Sequence, residues 1–449
     1  MLLHLTSLPD MFKTGLLGND VERFLDFLAA AGFSLWQMLP VQPVDKYGSP
    51  YQSYSLHAGN PDFITREKQY IAEVDENEYG RFRAVHAMWL DDYTLYSAIK
   101  DLNGGKPWLS WPDELKYRDE QALLRFRDKH PALVERYCLE QFVFFSQWRE
   151  LRRRAKERGI LLVGDMPLFP GEDSVNVWAH RRYFKLDAGG RPLAVAGVPP
   201  DYFSATGQRW GNPVYDWAAM AADNFTWWAD RIRTQLELFD LIRIDHFRGL
   251  EATWEIPAGC DTAETGSWIT VPGRDLLEVL HENFNPLPLI AEDLGMISPA
   301  VTRLRQDFCL PGMIVLQFAF DSDADNPYLP HNHKPDCVVY TGTHDNNTLK
   351  GWFDGLDQKH REKVRDYFGR DDIAMPWPMI RLALESVCNI AMVPMQDLLE
   401  LDARHRMNVP GTHRGNWQWT FEWDWVQKPL TARLKHLNQL YGRCGAEIL

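Results

Sequence analysis

Apolar and polar positions along the chain fall into blocks that repeat in the order strand, helix, strand. Leu2 to Leu8 is a short apolar run that ends in the turn signal Pro9-Asp10. Asn19 with Glu22 three residues on is a helix-start signature. Val21, Phe24, Leu25, Phe27 and Leu28 then share one helical face until Gly32. Ser34 to Val41 is the second apolar run. This spacing predicts a βαβ unit with parallel strands.

The alternation pauses over residues 42–139, which lack a convincing strand and read as an insertion after strand two. It resumes with a helix over about 139–158 and strand three, Leu161 to Leu168. A long stretch rich in Gly, Pro and aromatics follows, notably residues 197–213. Its Pro and Gly residues predict a chain without regular structure, ordered as a cover over a site. Strand four spans Leu241 to Ile244, strand five lies in 287–295, strand six in 313–320, strand seven in 337–345 and strand eight in 390–397, with helices mostly between them. Near-continuously apolar strands fit a parallel sheet, and eight of them fit a TIM barrel. The doubly wound alternative is disfavoured because no Gly-x-Gly-x-x-Gly follows strand one and no P-loop is present. The expectation is therefore an α/β chain: a single catalytic (β/α)8 TIM barrel over residues 1–449. It carries an inserted helical subdomain at 42–139 and a loop subdomain at 169–215 covering the site.

Charge and composition narrow the function. The net charge of -14 disfavours nucleic acid and anionic membranes as partners. Aromatics make up 13% of residues, with 18 Trp, more than a core alone calls for and suited to the flat apolar faces of sugars. The six cysteines are scattered without zinc spacing, which predicts reduced thiols in a cytoplasmic protein. The N-terminus carries no signal-peptide pattern, and no apolar run is long enough to span a bilayer.

In a TIM barrel the reactive groups stand at the C-terminal strand ends. Strand three ends in Asp165, strand four in Asp245-His246, strand five in Glu292-Asp293, strand six in Asp321 and strand seven in His344-Asp345, while strand two leads to Tyr51. Several carboxylates on one rim, without cysteine ligands, fit glycosidic chemistry. One protonated carboxyl helps the leaving oxygen depart, and one carboxylate traps the positive carbon. The retaining geometry places the two about 5–5.5 Å apart, and neighbouring strands lie about 4.8 Å apart. Of the adjacent pair Glu292 and Asp293 only one can face the barrel mouth, and the pattern leaves that choice even. Trp210 lies in a Gly/Pro-rich stretch with little core around it, which favours a sugar platform.

The chain resembles the 4-α-glucanotransferases (amylomaltases, disproportionating enzymes) of glycoside hydrolase family 77. The resemblance rests on Leu2 to Pro9, Ser49-Pro50-Tyr51-Gln52-Ser53, Ala58-Gly59-Asn60-Pro61, Gly164-Asp165-Met166-Pro167 and the stretch from Gly197 to Pro213. It continues through Arg243 to Gly249, Ala291 to Gly295, Gly342 to Asn346 and Arg406 to Gly411. It implies Asp245 as nucleophile, Glu292 as general acid/base and Asp345 as the group that stabilises the transition state. Arg243, His246 and His344 would hold the sugar and nucleophile, and Tyr51, Asp165, Asp321 and Asn408 would bind nearby. Trp210 would shield the acceptor side. The implied partners are α-1,4-glucans and malto-oligosaccharides, with no metal or organic cofactor. The protein would be cytoplasmic, a monomer or a weak homodimer. Phe169 to Glu172, Leu56-His57 and Asn347 depart from the family pattern and bear on outer subsites.

Overall fold

Parallel strands form the frame, and their residues alternate between two apolar environments. The computed structural model describes residues 1–66, 74–200, 204–295, 297–412 and 414–445. Its strands are β1 (Leu35–Gln37), β2 (Leu161–Met166), β3 (Ala194–Val198), β4 (Gln208–Pro213), β5 (Leu241–Ile244), β6 (Ala252–Pro257), β7 (Ser267–Thr270), β8 (Leu289–Ala291), β9 (Gly312–Val315), β10 (Cys337–Tyr340) and β11 (Ile390–Met392). β1, β2, β5 and β8 pair side by side in parallel, as do β9, β10 and β11.

Two seams join these sheets into a ring. At one, Leu2 bridges Gln37 and Pro394, both in the parallel sense. Leu2 N–H donates to Val393 O at 2.9 Å, and Leu3 N–H to Gln37 O at 3.0 Å. At the other, Ala291 N–H donates to Pro311 O at 2.9 Å. With Leu2 as the eighth member, the ring is the TIM barrel the alternation predicts. Its interior holds Leu2, Leu35, Val163, Leu241, Ile290, Met313, Val338, Tyr340 and Ile390. The outward residues, such as Trp36, Leu162, Ile242 and Leu289, belong to the larger core under the helices. This two-faced burial explains why the strands read as continuous apolar runs.

The expected first strand is much shorter than Leu2 to Leu8: Leu5–Ser7 already forms a 3-10 turn. The third, sixth, seventh and eighth strands also stop early, at Met166, Val315, Tyr340 and Met392. Their chemistry-bearing ends lie on loops just past the ladder. Asn19 is the first residue of its helix, and Gly18 occupies the cap. Glu22 pairs with Arg154 and Arg158 instead, so the basic helix tail ties two helices together.

In the insertion, the long helix Glu76–Leu102 packs beside Pro131–Glu157, which starts earlier than the apolar pattern indicates because Pro131 opens it. The cover expected to lack regular structure is a correction: β3 and β4 pair within it and extend to β6 and β7 as a four-stranded antiparallel sheet. β4 is an edge strand and ends at Pro213, where a missing N–H costs least. Gly211, at φ 82°, and a register shift between Val195 and Gly197 accommodate the other breakers. Asp201, Tyr202 and Phe203 of this stretch lie outside the described residues. Among the described residues, no helix is long and apolar enough to cross a membrane.

Candidate active site

Strand register places the polar groups. Asp165 of β2 and Arg243 of β5 are register partners on inward-facing positions, so they meet at one height in the barrel mouth. Arg243 Nη1 donates to both Asp165 oxygens, at 2.6 and 2.8 Å, and lies 3.0 Å from Asp245 Oδ1. Burial opposes the charged guanidinium, yet Asp165 and Asp245 carry its pKa well above the ordinary value. Burial also pushes Asp165 up, and Arg243 counters that push. The pair is ionised, since a charge-assisted contact from one guanidinium nitrogen reaches both carboxylate oxygens.

Ile244 of β5 and Ala291 of β8 are the last register pair, so Asp245 and Glu292 follow side by side on neighbouring strands. Alternation resolves the pair that the sequence pattern leaves even. Ile290 faces the barrel interior, so Glu292 does too, while Asp293 turns outward. There Asp293 accepts from Met313 N–H at 2.8 Å and lies 3.0 Å from Arg305 Nε. It is a brace. Glu292 Oε2 accepts from His246 N–H at 2.7 Å and Oε1 from Leu294 N–H at 3.2 Å. Burial pushes the Glu292 carboxyl up to about 7, Arg243 pulls it down, and Asp245 pushes it up again. A carboxyl at that value is half protonated near neutral pH, as a general acid requires.

His246 sits in left-handed backbone, φ 53°, which turns its amide onto Glu292. Burial takes its imidazole down to about 4, so the ring is neutral. Its Nε2 is buried without a partner among the described residues. Trp210 of β4 meets this ring edge-to-face at 4.8 Å.

A second network continues along the same rim. Tyr51 O–H donates to Asp165 Oδ2 at 2.9 Å, and the Tyr51 oxygen also lies 2.9 Å from His344 Nε2. His344 Nε2 is 3.4 Å from Asp345 Oδ1, and Asn408 Nδ2 donates to the same oxygen at 2.6 Å. Asp345 remains half exposed at the mouth. Tyr51, Asp165, Arg243, Asp245, His344, Asp345 and Asn408 thus form one continuous chain of contacts. Asp321 is not joined to it among the described residues: it is exposed, and its Oδ1 accepts from Asn326.

Two further residues belong to this rim. Arg406 donates to the Asp345 carbonyl at 2.8 Å. Trp417, in left-handed backbone at φ 64°, stands 5.8 Å from the Tyr51 ring and 6.0 Å from His344. No periodicity marks Trp417, since it lies in a bend outside helix and strand. Only its Gly415-Asn416 neighbours hint at an ordered bend. Among the described residues no group of three or more His, Cys, Asp or Glu side chains is arranged to hold a metal.

Comparison with known proteins fits this geometry. The 4-alpha-glucanotransferase model of glycoside hydrolase family 77 matches residues 3–77 and 65–426. The chain belongs to glycoside hydrolase family 77. It is 43% identical to the 4-alpha-glucanotransferase of Thermus thermophilus, with 93% of each chain covered. It is also 43% identical to that of Aquifex aeolicus, with 99% of each covered. The amylomaltase of Streptococcus agalactiae, solved in complex with acarbose, superposes with a TM-score of 0.94 at 33% identity, covering 99% of both chains. In this chain the rim carboxylates Asp245, Glu292 and Asp345 stand just past β5, just past β8 and in the loop after β10.

Proposed function

We propose that the chain is a retaining 4-α-glucanotransferase, with Asp245 as nucleophile, Glu292 as acid/base and Asp345 gripping sugar hydroxyls. The observation that carries this is the placement of Asp245 and Glu292 side by side on adjacent strands, one residue past their shared register; burial, which pushes the Glu292 carboxyl up to about 7, supports it. An Asp245 oxygen attacks the anomeric carbon of an α-1,4-glucan. The bond to the departing 4-oxygen breaks as Glu292 gives that oxygen its proton. Glu292, now a carboxylate, takes the proton of an incoming glucan 4-hydroxyl. That oxygen forms the new bond, and the ester to Asp245 breaks.

Arg243 holds the nucleophile through its contact with Asp245. His344, Tyr51 and Asn408 hold the donor sugar, Asp165 acts on it through Tyr51 and Arg243, and Asp321 serves an outer position. Trp210, on the sheet beside His246, covers the acceptor side and favours a sugar over water by orienting it. All these groups come from one chain, so a monomer or weak homodimer suffices. The six free thiols support a reducing, cytoplasmic setting.

Incubation with maltotriose tests the reading. Both longer oligosaccharides and glucose should accumulate, and Asp245→Asn should remove both while the fold is kept. Shortening alone identifies a hydrolase, and an active Asp245→Asn enzyme removes the nucleophile from that role.

A further inference from the structure

The loop after β10 carries two proposed site residues, His344 and Asp345, yet β10 ends at Tyr340 and its last backbone tie to β11 is Thr341 N–H to Met392 O at 3.2 Å. Something else must hold this loop to the fraction of an ångström that catalysis needs. Asn408 and Arg406 grip Asp345 from the mouth side. From below, a single buried carboxylate grips both ends of the loop. Asp397, in the short helix Met395–Leu398 after β11, is 2% exposed. Its Oδ2 accepts from Thr341 Oγ1 at 2.8 Å, and its Oδ1 from Leu349 N–H at 2.7 Å. Thr341 is the first residue after β10, and Leu349 the first residue of the helix Leu349–Gly355.

Between these anchors the loop braces itself. Asn346 Oδ1 accepts from Thr343 N–H and Oγ1, both at 2.8 Å, and Gln317 donates to Asn347 O at 2.8 Å. None of these bonds spans the loop from end to end as Asp397 does. We propose that Asp397 is a positioning residue for transfer: by joining Thr341 to Leu349 it fixes where His344 and Asp345 stand against the donor sugar. The inference rests on the role given above to Asp345.

The staple needs an acceptor for Leu349 N–H and a polar partner for Thr341 Oγ1. It does not need a charge. Burial pushes Asp397 up to about 7, so near neutral pH it carries a proton part of the time. A protonated Asp397 can still accept from Leu349 and donate to the Thr341 hydroxyl oxygen, because that hydroxyl both donates and accepts. Asn has the same capability. Leu has similar bulk and neither function.

The test is steady-state transfer on maltotriose by Asp397→Leu, Asp397→Asn, Thr341→Val and, as control, Asp345→Ala. A misplacement of about 1 Å costs on the order of 100-fold in rate. Asp397→Leu should therefore lose roughly that factor in kcat, with KM changed by no more than about threefold. Asp397→Asn should recover kcat to within about fivefold of the parent, and Thr341→Val, which removes one of the two bonds to Asp397, should fall between the two. A folded Asp397→Leu enzyme with parental kcat overturns the proposal. So does an Asn variant as slow as the Leu variant, which would assign the effect to charge. If the Leu variant does not fold, Thr341→Val decides: an unchanged kcat overturns the proposal and a reduced one supports it. An active Asp345→Ala enzyme overturns the role of Asp345 itself. Loss in that control with full activity in Asp397→Leu overturns the staple alone.

Discussion

Glu292→Gln separates the chemistry of the acid from what that acid does to stability. The folded chain holds the Glu292 carboxyl near 7, against an ordinary 4.5. A raised carboxyl is neutral for stability below the unfolded value, where both states are protonated. As pH rises from 4.5 to about 7 the unfolded state ionises and the folded state does not, so stability falls; above 7 the loss is complete. Between pH 5 and pH 8 the change is about 2.5 kcal/mol at about 1.36 kcal/mol per pH unit. Glu292 is half-buried, and solvent contact brings this to roughly 1–2 kcal/mol. Gln carries no such dependence. It also replaces one of the two oxygens that accept from His246 and Leu294, a loss of about 1 kcal/mol at every pH. The difference in unfolding free energy between variant and parent should therefore move by roughly 1–2 kcal/mol in the variant's favour from pH 5 to pH 8. Denaturant unfolding at the two pH values reads this directly. Transfer should drop by about 10²–10⁴-fold, the usual contribution of a general acid. A difference that stays constant with pH, or moves the other way, refutes the raised pKa and with it the argument that Glu292 is poised as an acid.

Arg243→Met leaves Asp165, whose side chain is 0% exposed, with Tyr51 as its main partner. The expected loss is roughly 3–5 kcal/mol at pH 8, smaller at pH 5 because protonation of Asp165 relieves the unpaired charge; a loss under 1 kcal/mol at pH 8, by denaturant unfolding, contradicts the ion pair's role. Trp417→Ala removes a ring beside Tyr51 and His344 and should raise the maltotriose KM by about tenfold, equivalent to about 1.4 kcal/mol. An unchanged KM would detach Trp417 from the site.

Much of this was readable from residue order, and the exceptions have physical causes. The barrel is legible because each strand is buried on two faces, so Ile242 and Leu241 are both apolar although they face different cores. The strand lengths are not legible. Leu5 and Leu316 prolong the apolar runs before them yet open the 3-10 turns Leu5–Ser7 and Leu316–Phe318, and an apolar residue at a strand end does not by itself distinguish a strand from a buried 3-10 turn. The antiparallel cover was hidden by its own breakers: Gly197, Gly211 and Pro213 mark a loop in isolation, and only the pairing of β4 with β3 and of β3 with β6 turns them into bulge and edge residues. Within the site, motifs bring out Asp245, Glu292 and Asp345, since each stands at a strand end or just beyond. Asp293 and Glu292 cannot be separated until the inward face is known. Asp397 and Trp417 act across the fold, Asp397 from beneath a loop 48 residues earlier. Sequence neighbours carry no trace of such contacts.

The seam at Leu2 sets a condition on the making of the protein. Leu2 pairs with Pro394, a separation of 394 - 2 = 392 residues. The barrel wall therefore stays open until β11 has been synthesised and has cleared the ribosome. The rim is assembled later still, since Asn408 and Trp417 reach Asp345 and Tyr51 from beyond that strand. Contacts this distant in sequence form late and slowly. Most of the nascent chain is then a growing half-barrel with exposed strand edges at β1 and at whichever strand was added last. Such edges are open to pairing with other chains. Translation that stalls before residue 394 leaves Leu2 without its closing partner and the barrel wall an open sheet.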